Sequence, residues 1–352
     1  MEYGHMALLD FEGFSFSTSN TDYITYGAVS GGSSTSAFGV NTGGPFGDNY
    51  IYSCLNASYV SKTLPSPVTT FFCGARISAY NANTIVLRVW DLNHTEQLGA
   101  YFTIANTTLS IYRGSTSGTL LGSVYLPNLS ANSWFYMELG GVIASGTGGS
   151  ATVRINGTTV LSVTGVNTAG GGNNNVMTYA ASSNVGITGI YTTHWYLCDG
   201  SGPAPWNTFL GDIRVQPLAP TSNDSVQFTA NGLASNYLNA AKVPPVPATD
   251  YNSDTGTVGH QDTFNLSSVT GVTTQTVLGV SIKVLANKSD TGGRAMATVF
   301  KSGATTDVGV STSLGIGASL LPPKLYPTDP NTSAAWTLAA TNAIKPGYKV
   351  SA

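Results

Sequence analysis

Residues able to carry out acid–base chemistry are scarce in this sequence. Glutamate occurs as Glu2, Glu12, Glu96 and Glu138 in a chain of 352 residues. Glycoside hydrolysis needs two carboxyl groups that flank the bond being cleaved. Glucanases with a sandwich fold often place them as Glu-x-Asp-x-x-Glu on one strand, and this spacing is absent. The sequence therefore predicts no catalytic residues of the glycosidase kind.

Asp10 and Glu12 are separated by one residue, which would place both side chains on one face of a strand. We interpret them as a solvated strand start or a surface ion pair, because exposed charge pairs contribute little to folding stability and are weak evidence for a function. No Gly-x-Ser-x-Gly elbow, phosphate loop or dinucleotide fingerprint occurs. The chain is accordingly predicted to be no enzyme and to need no cofactor.

Metal ligands are also few. The histidines of the chain are His5, His94, His194 and His260. None has a second His, Cys or acidic residue at the spacing of metal ligands, so we predict no transition-metal site. Calcium takes oxygen ligands from loops. A structural calcium held by Asp91, Asp199 or Asp212 with loop carbonyls therefore stays open as an alternative.

Tryptophan side chains could stack on sugar rings. Trp90, Trp134 and Trp195 fall in predicted strands, and we expect all three in the core. Trp206 follows a Pro-rich irregular stretch, and it is the aromatic side chain that we expect to be exposed. One exposed aromatic residue does not define a carbohydrate site.

The charge content excludes several kinds of partner. Only 14 Lys and Arg are spread over the chain and the net charge is −3, whereas nucleic-acid binding needs clustered cations. No apolar run approaches the ~20 residues that span a bilayer, and residues 1–6 lack the features of a signal peptide. The odd set of Cys54, Cys73 and Cys198 predicts buried, reduced thiols in a protein made in the cytoplasm.

Composition and periodicity predict an all-β fold. Charged residues make up 9% of the chain, and Gly is abundant at 41 residues, which favours strands and turns over long helices. Apolar residues alternate over Thr84–Trp90, and residues 190–198 are predicted to form a closing strand. The Asn156-Gly157 pair between two alternating runs predicts a type I′ hairpin. Residues 209–215 are predicted to form a closing strand.

The alternating pattern stops at a Pro-rich stretch near residue 217, which predicts a domain boundary. We expect a jelly-roll domain over 1–217 and a smaller β-sandwich over 218–352. In the second domain, residues 276–286 are predicted to form the central strand. Helical spacing over 336–344 predicts one short helix, and residues 348–350 are predicted to return as an edge strand.

Several segments resemble a class of virion structural proteins of tailed bacteriophages. The segments are residues 134–139, 153–157, 163–168, 196–202, 209–215, 249–251, 262–264, 336–337 and 342–350. The resemblance implies an N-terminal domain like the laminin-G/concanavalin jelly roll and implies no catalytic residues. Relatives often carry two acidic residues where this sequence has Thr193-His194-Trp195, which argues against a calcium or polar site there.

These observations lead to three hypotheses of function. The main hypothesis is a non-enzymatic virion component assembled in the host cytoplasm, exposed on head or tail, homo-oligomeric, and in contact with other virion proteins. The alternative is a carbohydrate-binding module that recognises host-surface glycans, tested by Trp206→Ala. A polysaccharide-degrading enzyme ranks third, because the carboxylate cluster is missing. No nucleic acid and no membrane insertion are expected.

Overall fold

The fold is known from a computed structural model. It describes residues 8–15, 30–31, 38–53, 60–79, 84–183, 190–271 and 276–352. Strands dominate and the helices are short, so the predicted all-β fold is confirmed. The chain divides into two compact units, with the division between Val215 and Gln216. The predicted boundary after residue 217 lies two residues further along.

Within its described residues, the first unit consists of strands joined by loops and a 3₁₀ turn at Ile104–Asn106. Its strands are β1 Leu8–Glu12, β2 Ser30–Gly31, β3 Phe38–Thr42, β4 Asn49–Ser53, β5 Val60–Val68, β6 Thr70–Ala79, β7 Thr84–Trp90, β8 Glu96–Thr103, β9 Thr108–Arg113, β10 Thr119–Tyr125, β11 Phe135–Val142, β12 Gly149–Ile155, β13 Thr158–Val166, β14 Val176–Ser183 and β15 Ile190–Cys198.

These strands form two antiparallel sheets. The eight-stranded sheet has the order β13-β12-β11-β6-β15-β4-β3, with β1 paired to β15. The seven-stranded sheet has the order β10-β9-β8-β7-β14-β5-β2. Side chains from both sheets meet in a shared core, where the rings of Phe102 and Phe135 lie 6.1 Å apart. This arrangement is a β-sandwich.

Alternation along β11 defines two faces of the eight-stranded sheet. Phe135, Met137 and Leu139 point into the core between the sheets, which we call the inner face. Tyr136 and Glu138 point the other way, to the outer face. Both are nevertheless fully buried, because residues 199–215 run across this face. We call residues 199–215 the strap.

The predicted hairpin is present between β12 and β13. Asn156 and Gly157 adopt φ angles of 48° and 81°, and both being positive is the requirement of a type I′ turn. Its register pairs Ile155 with Thr158. Local turn chemistry alone therefore fixes this part of the sheet.

The predicted strand over 209–215 is wrong, because the strap has no sheet partner. Some of its backbone N–H groups donate to side chains of the sheet below instead. The N–H of Leu210 donates to the Tyr196 hydroxyl at 3.1 Å, and the N–H of Gly211 donates to Glu138 Oε1 at 2.8 Å. Hydrogen bonds of this kind hold an extended segment without a ladder.

Where it is described, the second unit has shorter strands and two short helices. Its elements are β16 Pro220–Ser225, β17 Thr229–Asn231, α1 Asn236–Ala240, β18 Tyr251–Ser253, β19 Gln261–Leu266, β20 Val280–Ile282, β21 Leu285–Ala286, β22 Ala295–Ser302, β23 Thr305–Val308, β24 Thr312–Ser313, β25 Ser319–Leu320, β26 Lys324–Tyr326, α2 Leu338–Asn342 and β27 Lys345–Val350.

A six-stranded sheet with the order β16-β19-β27-β22-β23, in which β24 pairs with β22, organises the second unit. The predicted helix near the C-terminus is confirmed as α2, which Thr337 caps by accepting from the N–H of Ala340. Two strand predictions are wrong. Residues 276–286 supply only β20 and β21, each in a two-stranded sheet, and β27 lies inside the six-stranded sheet rather than at its edge.

The core of the second unit is aromatic. Phe300 stacks on Tyr326 with ring centroids 4.2 Å apart, and Trp336 meets the same ring edge-on at 5.9 Å. Ile282 and Ile344 complete the buried cluster. No helix within the described ranges is long and apolar enough to cross a membrane.

Candidate functional site

The outer face of the eight-stranded sheet carries a group of polar and aromatic side chains from several strands. Tyr136 on β11 lies opposite Arg76 on β6, and Arg76 lies opposite Thr193 on β15. Directly paired residues of neighbouring strands share a face. Three strands that are far apart in sequence thus present these side chains side by side.

Glu138 lies in the half of this face that the strap covers, which we call the covered half; the rest is the uncovered half. Its Oε1 accepts the Tyr196 hydroxyl at 2.5 Å and the strap N–H of Gly211 at 2.8 Å. Its Oε2 lies 3.6 Å from Arg154 Nη1 and accepts no hydrogen bond from the described residues. Gly74 makes room for this group, since a Cβ there would lie 2.5 Å from the Tyr196 ring. The carboxylate therefore anchors the strap to the sheet.

A β-bulge positions His194 beside this group. The register of β15 against β6 shifts between Thr193 and Tyr196, and His194 adopts a φ of 52°. A bulge with a left-handed residue redirects a side chain from its regular position. The ring Nδ1 accepts the N–H of Val215 at 3.2 Å, and Nε2 lies 2.8 Å from Asp48 Oδ2. The carbonyl of His194 accepts the Tyr136 hydroxyl.

Two arginines meet at Phe46 on the margin of the face. The guanidinium carbons of Arg76 and Arg214 lie 4.9 and 4.7 Å from the centre of the Phe46 ring. Arg76 also forms an ion pair with Asp212 of the strap, whose side chain is 42% exposed. Charged groups held by packing in this way can present hydrogen bonds to a ligand with little loss of entropy.

Three partly exposed aromatic side chains continue the face beyond Arg76. The ring of Tyr50 lies 5.8 Å from Trp134 and 5.0 Å from Tyr191, and the rings of Trp134 and Tyr191 lie 6.4 Å apart. We call Tyr50, Trp134 and Tyr191 the aromatic triad. Because Tyr191 is two residues before Thr193, the triad lies one row along the strands from Arg76.

Burial and contact with neighbouring charges shift several pKa values in this region. Burial raises the pKa of the Glu138 carboxyl despite the hydrogen bonds that it accepts. Burial also acts to raise the pKa of Asp48, but contact with His194 outweighs it and the pKa is lowered. The hydroxyls of Tyr136 and Tyr196 have pKa values well above their usual range because they are buried and close to Glu138. Opposed shifts in one site are typical of functional positions and of structural networks alike.

Asp10 and Glu12 share one face of β1, as their spacing predicts, but they are not a surface pair. Lys62 of β5 places its Nζ 3.5 Å from Asp10 Oδ1 and 3.4 Å from Glu12 Oε2. Glu12 also accepts the N–H of Phe14, and Asp10 accepts the Tyr179 hydroxyl. The expected solvated strand start is a largely buried ionic group between the two sheets.

The three aspartates considered for calcium are each engaged elsewhere. Asp91 accepts three backbone N–H groups, from Asn93, Thr95 and Asn173. Asp199 accepts from Ser201, and Asp212 pairs with Arg76. Within the described residues, no group of three or more His, Cys, Asp or Glu is placed to hold a metal ion.

The tryptophan predictions are right for two residues and wrong for two. Trp90 and Trp195 are in the core, as expected. Trp206 is buried, with 7% of its surface exposed, so the strap loop does not display it. Trp134 is partly exposed on the outer face and belongs to the aromatic triad. The partly exposed tryptophan on this face is therefore Trp134, whereas the sequence had predicted Trp206 to be exposed.

Cys73 and Cys198 are buried free thiols, as expected. Burial raises the pKa of both thiols, which makes them poor nucleophiles. Three residues from the sequence analysis, Glu2, His5 and Cys54, lie outside the described residues.

Sequence reasoning missed Glu138, Tyr136, Tyr196 and Arg76, and it treated the 193–195 stretch as unsuited to a polar site. The structure corrects this, because His194 and Asp48 meet there. One signal was available: Trp134, Tyr136 and Glu138 occupy alternate positions in a strand whose other residues are apolar. Such alternation marks a face that carries polar groups. The partners on other strands have no comparable signal.

No protein-family model matches this chain, and no curated protein matches it in sequence. Solved structures do resemble it. The carbohydrate-binding module CBM66 from Bacillus subtilis is 7% identical, with a TM-score of 0.32, over 46% of this chain and 95% of the module. The alginate lyase Aly36B is 14% identical, with a TM-score of 0.38, over 55% of this chain and 98% of the lyase. A protein of unknown function with a galectin-like fold from Bacillus subtilis is 10% identical, with a TM-score of 0.36, over 56% and 98%.

These comparisons correct one prediction. The chain was expected to be no enzyme, and the comparisons contradict that prediction: an alginate lyase and a glucuronan lyase are among the structures that it resembles in fold. Its physical premise also failed, since ionisable side chains that are dispersed in the sequence converge on the outer face. The resemblance to phage virion proteins, with its expected oligomer and virion location, stays a prediction.

Proposed function

We propose that the first unit binds carbohydrate on the outer face of its eight-stranded sheet. The single observation that carries the proposal is the partly exposed aromatic triad next to the Arg76–Asp212 ion pair. Sugar rings have apolar faces that pack on aromatic rings and hydroxyl groups that pair with charged side chains. A binding site of this type combines an apolar surface with a few fixed polar groups.

The uncovered half of the face meets both requirements. Trp134 and Tyr191 are inclined by only 33° to one another, so their rings can serve adjacent parts of one extended ligand. Asp212 offers an exposed carboxylate to sugar hydroxyls, while Arg76 holds it in place. Charge-assisted hydrogen bonds of this kind are stronger than neutral ones.

The covered half serves as support. Tyr196 and Glu138 attach the strap through the N–H groups of Leu210 and Gly211, and the strap in turn positions Asp212. Rigid supporting hydrogen bonds of this type keep polar groups of a site within reach of a ligand.

The stacking contribution can be estimated. Covering about 60 Å² of the Trp134 ring face at about 25 cal/mol per Å² contributes about 1.5 kcal/mol, which corresponds to about a tenfold change in Kd. We therefore expect Trp134→Ala to weaken binding about tenfold. Tyr125→Ala is the matched control, since Tyr125 is 66% exposed on β10 of the other sheet.

The experiment is a glycan array followed by calorimetric titration of the ligands that bind. Neutral polysaccharides, alginate and glucuronan serve as probes, the last two because lyases that resemble this chain act on them by name. Binding that is lost in Trp134→Ala and kept in Tyr125→Ala supports the proposal. Binding that is equal in the two variants, or no binding to any probe, would refute it.

A cleavage assay belongs to the same experiment. His194, Tyr136, Glu138 and Arg76 are acid–base groups within one site, but all except Arg76 are fully buried. Formation of unsaturated uronate ends from alginate or glucuronan would show that the site also acts on the polysaccharide. Cleavage abolished by His194→Gln would assign the activity to this face.

A further inference from the structure

The ionic group of Asp10, Glu12 and Lys62 has no part in the proposed carbohydrate site. It lies between the two sheets of the first unit, with both carboxylates on β1 and the amine on β5. The side chains of Lys62, Asp10 and Glu12 are 11%, 20% and 3% exposed. A primary amine is thus held between two carboxyl groups in a poorly hydrated environment.

The distances within this ionic group give each side chain a different possible role in a reaction. Lys62 Nζ lies 3.5 Å from Asp10 Oδ1, within reach of the Asp10 carboxyl carbon. The Tyr179 hydroxyl donates to the other oxygen, Asp10 Oδ2, at 2.9 Å. Glu12 Oε2 lies 3.4 Å from the same amine, while its Oε1 is fixed by the N–H of Phe14.

We propose that Lys62 and Asp10 form an intramolecular isopeptide bond that links the two sheets of the first unit. Tyr179 polarises the Asp10 carboxyl group, and Glu12 transfers the protons. Positioned reactants of this kind gain a large effective concentration. The resulting amide also removes two charges from a buried position, where isolated charges are costly.

The reaction balances without any further reactant. The Lys62 ammonium gives one proton to Glu12, and the neutral amine attacks the Asp10 carboxyl carbon to form the new N–C bond. The negative charge that develops on Oδ2 is stabilised by the Tyr179 hydroxyl. Glu12 passes its proton to Asp10 Oδ1. It then takes a second proton from the Lys62 nitrogen and delivers this proton to Oδ1 as well. The C–Oδ1 bond breaks, one water molecule leaves, and Glu12 returns to its starting state.

Burial lowers the pKa of the Lys62 amine, but Asp10 and Glu12 raise it, and the net effect is a raised pKa. The ammonium form is therefore the resting state. Transfer of its proton to Glu12 is the required first step, which predicts slow bond formation after folding.

A second group of lysine–aspartate pairs, in the second unit, can be compared with the Lys62 group. Lys301 and Lys345 contact Asp224 in the second unit, the former at 3.0 Å. Both are more exposed than Lys62, and in the described part of the chain the ion pairs of both lysines are with the same carboxylate, that of Asp224, whereas Lys62 lies between two. We expect no bond there.

The test is the mass of the purified, denatured chain after prolonged incubation at neutral pH. The expected mass is one water molecule below the sequence mass. Lys62 is the first Lys or Arg of the sequence and Arg76 the next. The linked chain should therefore yield a tryptic peptide 1–76 that lacks one water, in place of separate peptides 1–62 and 63–76.

Three variants complete the experiment. Lys62→Arg keeps the positive charge and Glu12→Gln keeps the shape, and both should retain the full sequence mass. Lys301→Arg is the control and should still lose one water. A wild-type chain at its full mass, with peptide 1–62 recovered, would overturn the proposal even if every variant failed to fold. Loss of water that persists in Lys62→Arg would overturn it as well.

Discussion

Removing the Glu138 carboxylate tests whether it holds the strap on the sheet. Glu138→Ala removes the acceptor of two donors, the buried Tyr196 hydroxyl and the partly buried N–H of Gly211. Each buried unsatisfied group costs about 1–3 kcal/mol. Relief of the buried charge offsets part of this, and we expect a net loss of about 3 kcal/mol.

Calorimetric unfolding measures the effect. For a domain of about 150–250 residues, 1 kcal/mol shifts the Tm by about 2–4 °C, so Glu138→Ala should lower the transition of the first unit by about 6–12 °C. Glu138→Gln is the matched variant. Its amide oxygen can still accept both hydrogen bonds, and we expect a loss of about 1 kcal/mol or less.

Hydrogen exchange at the Gly211 N–H gives a local measurement. The rate should rise strongly in Glu138→Ala and little in Glu138→Gln, because only the former loses the acceptor. Equal losses of stability in the two variants, or protection of Gly211 that is unchanged in Glu138→Ala, would refute the anchoring role.

Two further predictions concern the second unit. Phe300→Ala should destabilise it by about 3–5 kcal/mol in chemical denaturation, because the buried ring stacks on Tyr326. Val308→Ala, at an exposed position, is the control. Equal losses of stability in the two variants would contradict the assigned core. The pKa of Asp224 is lowered in the folded unit, so its stabilising effect is complete above about pH 4 and is lost as the pH falls. Urea unfolding of Asp224→Asn should show a weaker fall in stability on acidification, and an unchanged pH dependence would exclude this contribution.

Much of the first unit could be predicted because its signals are local. β7 has the bounds that alternation indicated, β15 has the bounds predicted for a closing strand, and the Asn156-Gly157 turn fixes its hairpin. Residues 209–215 show the opposite case. They carry alternating apolar residues, yet their backbone groups bond to side chains of another element. No property of that segment by itself separates a strand from an extended strap.

The second unit was harder to predict because burial there does not follow the apolar pattern. Residues 276–286 alternate well but are mostly only partly buried where described, and their strands are two or three residues long. The interior positions belong to β22 and β27 instead. Which strand becomes central depends on tertiary packing, which overrides propensity.

The candidate site depends on the order of strands rather than on any strand alone. Alternation assigns Arg76, Tyr136 and Tyr196 to particular faces of β6, β11 and β15, but these strands lie far apart in the sequence. They become neighbours because β6 pairs with β11 on one side and β15 on the other. If β6 had paired with β7, its successor in the chain, Arg76 would not lie opposite Tyr136. The polar group therefore arises from long-range pairing, which explains why few ionisable residues suffice to build it and why their scarcity in the sequence was a poor argument against chemistry.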